Sequence, residues 1–482
     1  VSERDEQLRQ EAYEQVEKHK TMVEADPYRL KYHIMPPVGL LNDPNGFIQF
    51  NGTYHMFYQW MPFKTGHGAK FWGHYTSEDL VTWTEQPIAL TPSEWYEKDG
   101  CYSGSAIEHD GKLYLFYTGN VKDEDGNRES YQCMAISEDG IHFEKKGPVL
   151  ELPEEYTAHF RDPKVWKEAG RFYMVIGTQN HDEQGRAVLF VSDDLHAWEH
   201  VGVVTGSHTD QLDEFGFMWE CPDIFHLNGQ DVLAVSPQGL EAKGMHYNNV
   251  YQSGYFVGSL NYETGHLQHG EFQELDRGFE FYAPQTTVDD QGRRILVGWM
   301  GVPDQYEEEQ PTIKHKWVHT LTMPRELSLE NGKVIQKPIK ELETKRGAQM
   351  KYEDADIKNE VKQFGGINGL SVELQIDIKK NLSKSFDIEI RNNMRLIYNR
   401  KEGLLTLERK SFVNGRTESR HCYVEDLKQL RLFLDTSSLE VFVNGGEEVF
   451  TSRMFPDAEN TTILFAANGS VTADISRWHL HV

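Results

Sequence analysis

Cysteine is scarce in this chain: Cys101, Cys133, Cys221 and Cys422 are the only four among 482 residues. None stands at metal-ligand spacing, and four are too few for a disulfide framework in a chain of this length. They read as free thiols of a reducing compartment, which points to a cytoplasmic location. Long apolar runs are also missing, which excludes a membrane-spanning helix and argues against a membrane partner. Cationic charge is in short supply, with 49 Lys and Arg against 76 Asp and Glu and a net charge of −27. A phosphodiester backbone is bound by clustered Lys and Arg, so nucleic acid is excluded as a partner. An anionic substrate would need a local basic pocket working against the global field. The sequons beginning at Asn51, Asn381, Asn460 and Asn468 read as chance matches.

What is present is periodic. Residues 1–28 are rich in helix formers and charge and predict a short solvated helix with one thin packing face. From 29 to 340, short β-rich runs alternate with Gly, Asp and Asn turns. The stretches "NGTYHMFY", "DGKLYLFY", "AGRFYMVI", "NGQDVLAV" and "QGRRILVG" share a turn glycine followed by a strand, and Gly52, Gly111, Gly170, Gly229 and Gly292 are spaced by 59, 59, 59 and 63 residues. A second echo, "TSEDLVTW", "ISEDGIHF" and "VSDDLHAW", places Asp79, Asp139 and Asp194 at matching points. Five such units predict an all-β fold, a five-bladed β-propeller. Residues 341–482 show strict polar–apolar alternation and predict a C-terminal β-sandwich. No acids cluster there, so its role reads as structural or as an oligomer contact, with monomer and homodimer both open.

Seven to nine residues before the repeat glycines stand Asp43 in "NDPNGFI", Ser103 in "YSGSAI", Asp162 in "RDPKVW", Glu220 in "ECPDIF" and Gln285 in "YAPQTT". Equivalent positions of a propeller lie at one radius, so Asp43, Asp162 and Glu220 are expected to meet at the mouth of the central channel. Like charges held together destabilise one another, so three converging acids point to catalysis. A metal site and a glycosidase pair both fit; no EF-hand-like loop is present, and glycoside hydrolysis fits better. Turn N–H groups around Asp43 would keep it ionised as a nucleophile, and apolar surroundings behind Trp219 would raise Glu220 as the acid. Arg161 would keep Asp162 ionised to hold sugar hydroxyls. Trp60, Trp72, Trp219 and Trp299 could build the walls of a sugar site.

At these motifs, with "GTYHMFYQ", "WGHYTSEDLVTW", "YSGSA", "FRDPKVW", "WECPDIF" and "FYAPQT", the chain resembles the family 32 glycoside hydrolases, and within them the sucrose-6-phosphate hydrolases of bacilli. The resemblance implies retaining hydrolysis of β-D-fructofuranosides through a covalent fructosyl-enzyme, without a cofactor or metal. It implies Asp43 as nucleophile, Glu220 as acid/base and Asp162 as transition-state stabiliser. Asn42, Gln59, Tyr102, Ser103, Arg161 and Trp299, with Trp72, match positions around the sugar. Two departures are visible. Leu40 and Leu41 replace the usual Trp-Met, and "HGAKFWGH" carries His67 where many members have Trp and adds Lys70. His67 and Lys70 are therefore expected to bind a 6-phosphate, which would make sucrose 6-phosphate or sucrose the substrate.

Overall fold

A computed structural model describes residues 1–482. Five antiparallel sheets form the blades of a propeller. Their innermost strands are Gly39–Phe50, Cys101–His109, Tyr156–Glu168, Met218–Leu227 and Tyr282–Val288, and each touches the next around a closed ring, the first meeting the fifth. Trp317–Val318 adds a short parallel strand to the first blade, pairing with Gly39 and Leu40.

The repeat glycines sit in the turns that join the innermost strand to the second. In four blades the turn is two residues long, between Phe50 and Thr53, His109 and Lys112, Glu168 and Arg171, and Leu227 and Gln230. Both turn residues have positive φ, as in Asn51 at 51° with Gly52 at 81°, so these are the hairpin turns whose twist matches that of the strands. A fixed turn produces a fixed period. The fifth blade joins Val288 to Arg294 through a longer loop, where the spacing also breaks. The second echo is structural too. Asp79, Asp139 and Asp194 each accept two backbone N–H bonds in the loop before the fourth strand, the side-chain cap of an Asx-type turn.

The N-terminal helix, Glu3–Glu24, is capped by Ser2 Oγ, which accepts from Asp5 N. Leu8, Ala12 and Val23 are its buried apolar residues, and Arg9 donates to the carbonyls of Ile88 and Ala89. No helix is long and apolar enough to cross a membrane.

Beyond the last propeller strand, Lys333–Pro338, and starting at Arg346–Lys358, two six-stranded sheets face each other. Alternate residues of both, such as Leu374, Ile376, Leu396, Leu407, Leu432 and Phe465, fill the space between. The sandwich is bolted to the propeller by buried charge. Arg325 bonds Asp276 and Glu440, Arg409 bonds Glu280, and His33 lies between Asp435 at 2.8 Å and Glu440 at 2.7 Å.

Candidate active site

Every innermost strand loses register with its neighbour at the same depth: between Leu41 and Pro44, Cys101 and Gly104, Arg161 and Lys164, Glu220 and Asp223, and Tyr282 and Gln285. The cause is visible in the sequence. Pro44, Pro163, Pro222 and Pro284 cannot donate to a ladder, and Gly104 stands at the fifth place; a bulge at each turns the preceding side chain into the channel. Aligned on that Pro or Gly, Asp43, Ser103, Asp162, Cys221 and Ala283 form one ring and Asn42, Tyr102, Arg161, Glu220 and Tyr282 the next. This corrects the expected equivalence of the three acids, because Glu220 stands one residue ahead of the ring that holds Asp43 and Asp162. Asp162, Cys221 and Ala283 adopt φ of 69°, 51° and 50°, a sparsely populated conformation that costs of order 1–3 kcal/mol per residue.

Within the first ring, Ser103 Oγ donates to Asp43 Oδ2 at 2.6 Å, and Asn42 Nδ2 reaches Oδ1 at 3.3 Å. Cys221 N donates to Asp162 Oδ2 at 3.0 Å, and the Cys221 thiol lies 3.5 Å from Asp43 and 3.4 Å from Asp162. In the second ring, Glu220 is gripped on both oxygens. Oε2 accepts from Arg161, at 3.0 Å from Nε and 2.9 Å from the second guanidinium nitrogen, and Oε1 accepts from Tyr282 OH at 2.6 Å and Gln238 at 2.7 Å. Arg161 thus serves Glu220 and not its chain neighbour Asp162, and Trp219 is buried with its indole N–H on Phe215 O. Strand alternation turns Trp219 away from the cavity that Glu220 lines; Arg161 lines the cavity beside Asp162 but reaches across to the next blade.

These groups open on a cavity of about 310 Å³ lined also by Gln59, His67, Lys70, Tyr102, Arg128, Trp299 and Asp304. Trp72 does not line it; it is fully buried and donates to Tyr102 O at 3.0 Å, supporting the wall from behind. Trp60 is likewise core, bonded to Val38 O. Of the four tryptophans considered, Trp299 alone faces the sugar space. Gln59 lines it while donating to Asn45 Oδ1 and Cys101 O, both at 2.9 Å. Lys70 is buried, its ammonium 2.8 Å from Asn42 Oδ1 and 2.9 Å from His67 Nδ1; His67 Nε2 is 2.8 Å from Glu307, which also takes His319 at 2.9 Å. Sequence reading passed over Arg128, Gln238, Tyr282 and Glu307. Tyr282 is within reach of the sequence, two residues before Pro284 in "FYAPQT"; Gln238 and Arg128 stand at strand ends and Glu307 in a short 3-10 helix, away from the motif that marks each innermost strand.

Burial, and then the charge of Glu220, raise Asp43 above the ordinary carboxylate range, against the pull of the Ser103 hydroxyl. The same two causes push Asp162 up to about 7, with Arg161 opposing them. Burial first and Asp162 next hold the Cys221 thiol well above its usual value. Asp43, Asp162 and Cys221 place ligand atoms within 4.8 Å of one another. The protonated thiol is a weak hydrogen-bond donor shared between the two carboxylates.

One carboxylate held by hydroxyl and amide donors, and a second gripped by a guanidinium, a phenol and an amide at the same cavity, are the unlike acid pair of a glycoside-cleaving hydrolase. Comparison with known proteins supplies the family. Residues 33–338 match the glycosyl hydrolases family 32 N-terminal domain and residues 341–481 the family 32 C-terminal domain; the chain belongs to glycosyl hydrolase family 32. It is 54% identical over 483 residues to the sucrose-6-phosphate hydrolase of Bacillus subtilis, covering 99% of both chains, and 43% identical to that of Salmonella typhimurium, covering 90% of both. Among solved structures, sucrose-6-phosphate hydrolase from Lactobacillus gasseri superposes with TM-score 0.87 at 31% identity, covering 97% of this chain and 96% of that one. A mutant of the Bombyx mori family 32 β-fructofuranosidase in complex with sucrose gives 0.85 at 34% identity, covering 99% and 98%.

Proposed function

We propose that this enzyme hydrolyses the β-fructofuranosidic bond of sucrose 6-phosphate, and of sucrose, with retention of configuration. Asp43 attacks the anomeric carbon of the fructosyl unit while Glu220 gives a proton to the departing glucosyl oxygen. The C–O bond breaks, and a fructosyl ester on Asp43 remains. Water, deprotonated by Glu220, then cleaves that ester and restores both groups. Asp162, buried and beside both ring carboxyls, binds fructose hydroxyls and stabilises the positive charge that develops at the anomeric centre.

The observation that carries this reading is the unequal company of the two acids. Asp43 Oδ2 meets only the hydroxyl of Ser103 and a distant thiol, which leaves it free to attack. Glu220 is oriented by three side chains, as a group that passes a proton along a fixed line must be. The phosphorylated substrate is supported by the names of the relatives at 54% and 43% identity. A sugar phosphate is retained inside cells, and four free thiols agree with a cytoplasmic enzyme.

Proton NMR of the first turnover tests the mechanism: β-fructofuranose should appear first and mutarotate afterwards. Initial release of the α-anomer would mean single displacement and would remove Asp43 from the nucleophile's role. Kinetics on sucrose 6-phosphate and sucrose side by side test the substrate, with the larger kcat/KM expected for the phosphorylated sugar.

A further inference from the structure

Four cationic side chains line the cavity: His67, Lys70, Arg128 and Arg161. Three are committed to the protein. Arg161 is held by Glu220 and by His159 Nδ1 at 2.8 Å. Lys70 is held by Asn42 and His67, and His67 by Glu307. This places the Lys70–His67 pair beside Asn42 and Asp43, on the nucleophile's side, where it fixes the amide that touches Asp43.

Arg128 differs. It is half-buried, and its only recorded interaction is with the ring of Tyr102, 5.9 Å from guanidinium carbon to centroid. No carboxylate or carbonyl accepts from it, so a group with five N–H donors lines the cavity without a protein acceptor. Its mounting is rigid. It opens the strand Arg128–Ser137 opposite Lys122, and the connecting loop is tied by Asp123 Oδ1 to the N–H groups of Asp125 at 2.9 Å and Asn127 at 2.8 Å. Through Tyr102 it stands at the ring of Arg161 and Glu220, its two charged neighbours, and so on the side of the acid. That side receives the leaving sugar, because Glu220 protonates the oxygen that departs with it.

We propose that Arg128 reads the 6-phosphate of the departing glucose unit and sets the preference for phosphorylated over free sucrose, an inference that rests on the reaction proposed above. A guanidinium offers paired N–H donors that match two phosphate oxygens, and a phosphate monoester supplies the acceptors that the protein withholds. The overall charge of −27 makes one such group valuable, since the rest of the field repels the substrate.

The test is kcat/KM for sucrose 6-phosphate and for sucrose in wild type, Arg128→Gln and Arg128→Lys, with glucose 6-phosphate as a competitive inhibitor and thermal unfolding as the control for folding. Arg128→Gln is expected to reduce the ratio of the two kcat/KM values about 100-fold. The change should lie in KM for the phosphorylated sugar, and inhibition by glucose 6-phosphate should weaken in parallel. Arg128→Lys, which keeps the charge and loses the fork, should recover about tenfold of the loss. A wild-type ratio that is high and unchanged in Arg128→Gln overturns the assignment and leaves the reaction standing, as do equal losses on both sugars. A wild-type enzyme that cleaves sucrose well and shows no preference overturns the substrate reading itself.

Discussion

Two places in this molecule bury acids, and they do so in opposite ways. At the seam between propeller and sandwich each carboxylate has a cation: Asp435 and Glu440 share His33, Glu440 and Asp276 share Arg325, and Glu280 takes Arg409. At the channel mouth Asp43, Asp162 and Glu220 crowd together, and of the three acids the nearest guanidinium, Arg161, bonds Glu220 alone. The difference separates structure from chemistry. Paired charges lock an interface, whereas unpaired ones store repulsion that a reaction can use.

Removing a charge should therefore have opposite consequences at the two places. The largest effect is expected for Asp43→Asn, with kcat on either sugar lowered by about 10⁴-fold or more and the fold intact by circular dichroism. Glu220→Gln should cost about 10²–10⁴-fold, the usual worth of a general acid, and less with a substrate whose leaving group needs no proton. Residual activity near wild type in either variant would end the comparison.

His33→Gln should leave kcat alone and destabilise the protein by about 3–5 kcal/mol, since it strands two buried carboxylates. Burial opposes charge on His33, but its two carboxylates outweigh that and raise it to about 9. Its contribution is therefore complete below the unfolded value of about 6.5 and disappears as pH rises through about 9. Thermal unfolding of wild type and variant should differ most near pH 6 and converge toward pH 10.

Asp162→Asn should abolish most activity and still raise the melting temperature by about 2–4 °C at pH 8. The sign follows from its raised carboxyl. The folded state keeps the proton up to about 7 while the unfolded chain loses it near 3.8, so the penalty is absent below pH 4 and grows to its full size above pH 7. A variant that is less stable at pH 8 would show that Asp162 is structurally paired after all. The smallest effect is expected at the turns: Gly52→Ala, at φ 81° in open space, should cost about 1 kcal/mol and no activity.

The propeller was legible because a two-residue turn repeats it: Gly52, Gly111, Gly170 and Gly229 are counted off by backbone geometry. The sandwich was legible from alternation in stretches such as Val372–Asn381. The acids were legible because each stands near a proline that bends an innermost strand. Their surroundings were not, because partners come from other strands and other blades. Tyr282 and Gln238 reach Glu220 from 62 and 18 residues away, and Arg161 faces a neighbour 59 residues on and not the next one. Lys70 looked like a free cation in the sequence, and only the fold shows Asn42 and His67 claiming it.

The bulge that recurs once per blade has a consequence for where this scaffold carries its chemistry. It sets one side chain per blade before a Pro or Gly at the channel mouth, in two backbone forms: Asp162, Cys221 and Ala283 have positive φ, and Asp43 and Ser103 do not. Four of these positions hold Asp43, Ser103, Asp162 and Cys221. The fifth holds Ala283, a methyl at φ 50° beside the acid's tyrosine. That methyl is buried in the propeller core and closes the mouth on its side, so the scaffold's chemistry is carried by the other four positions.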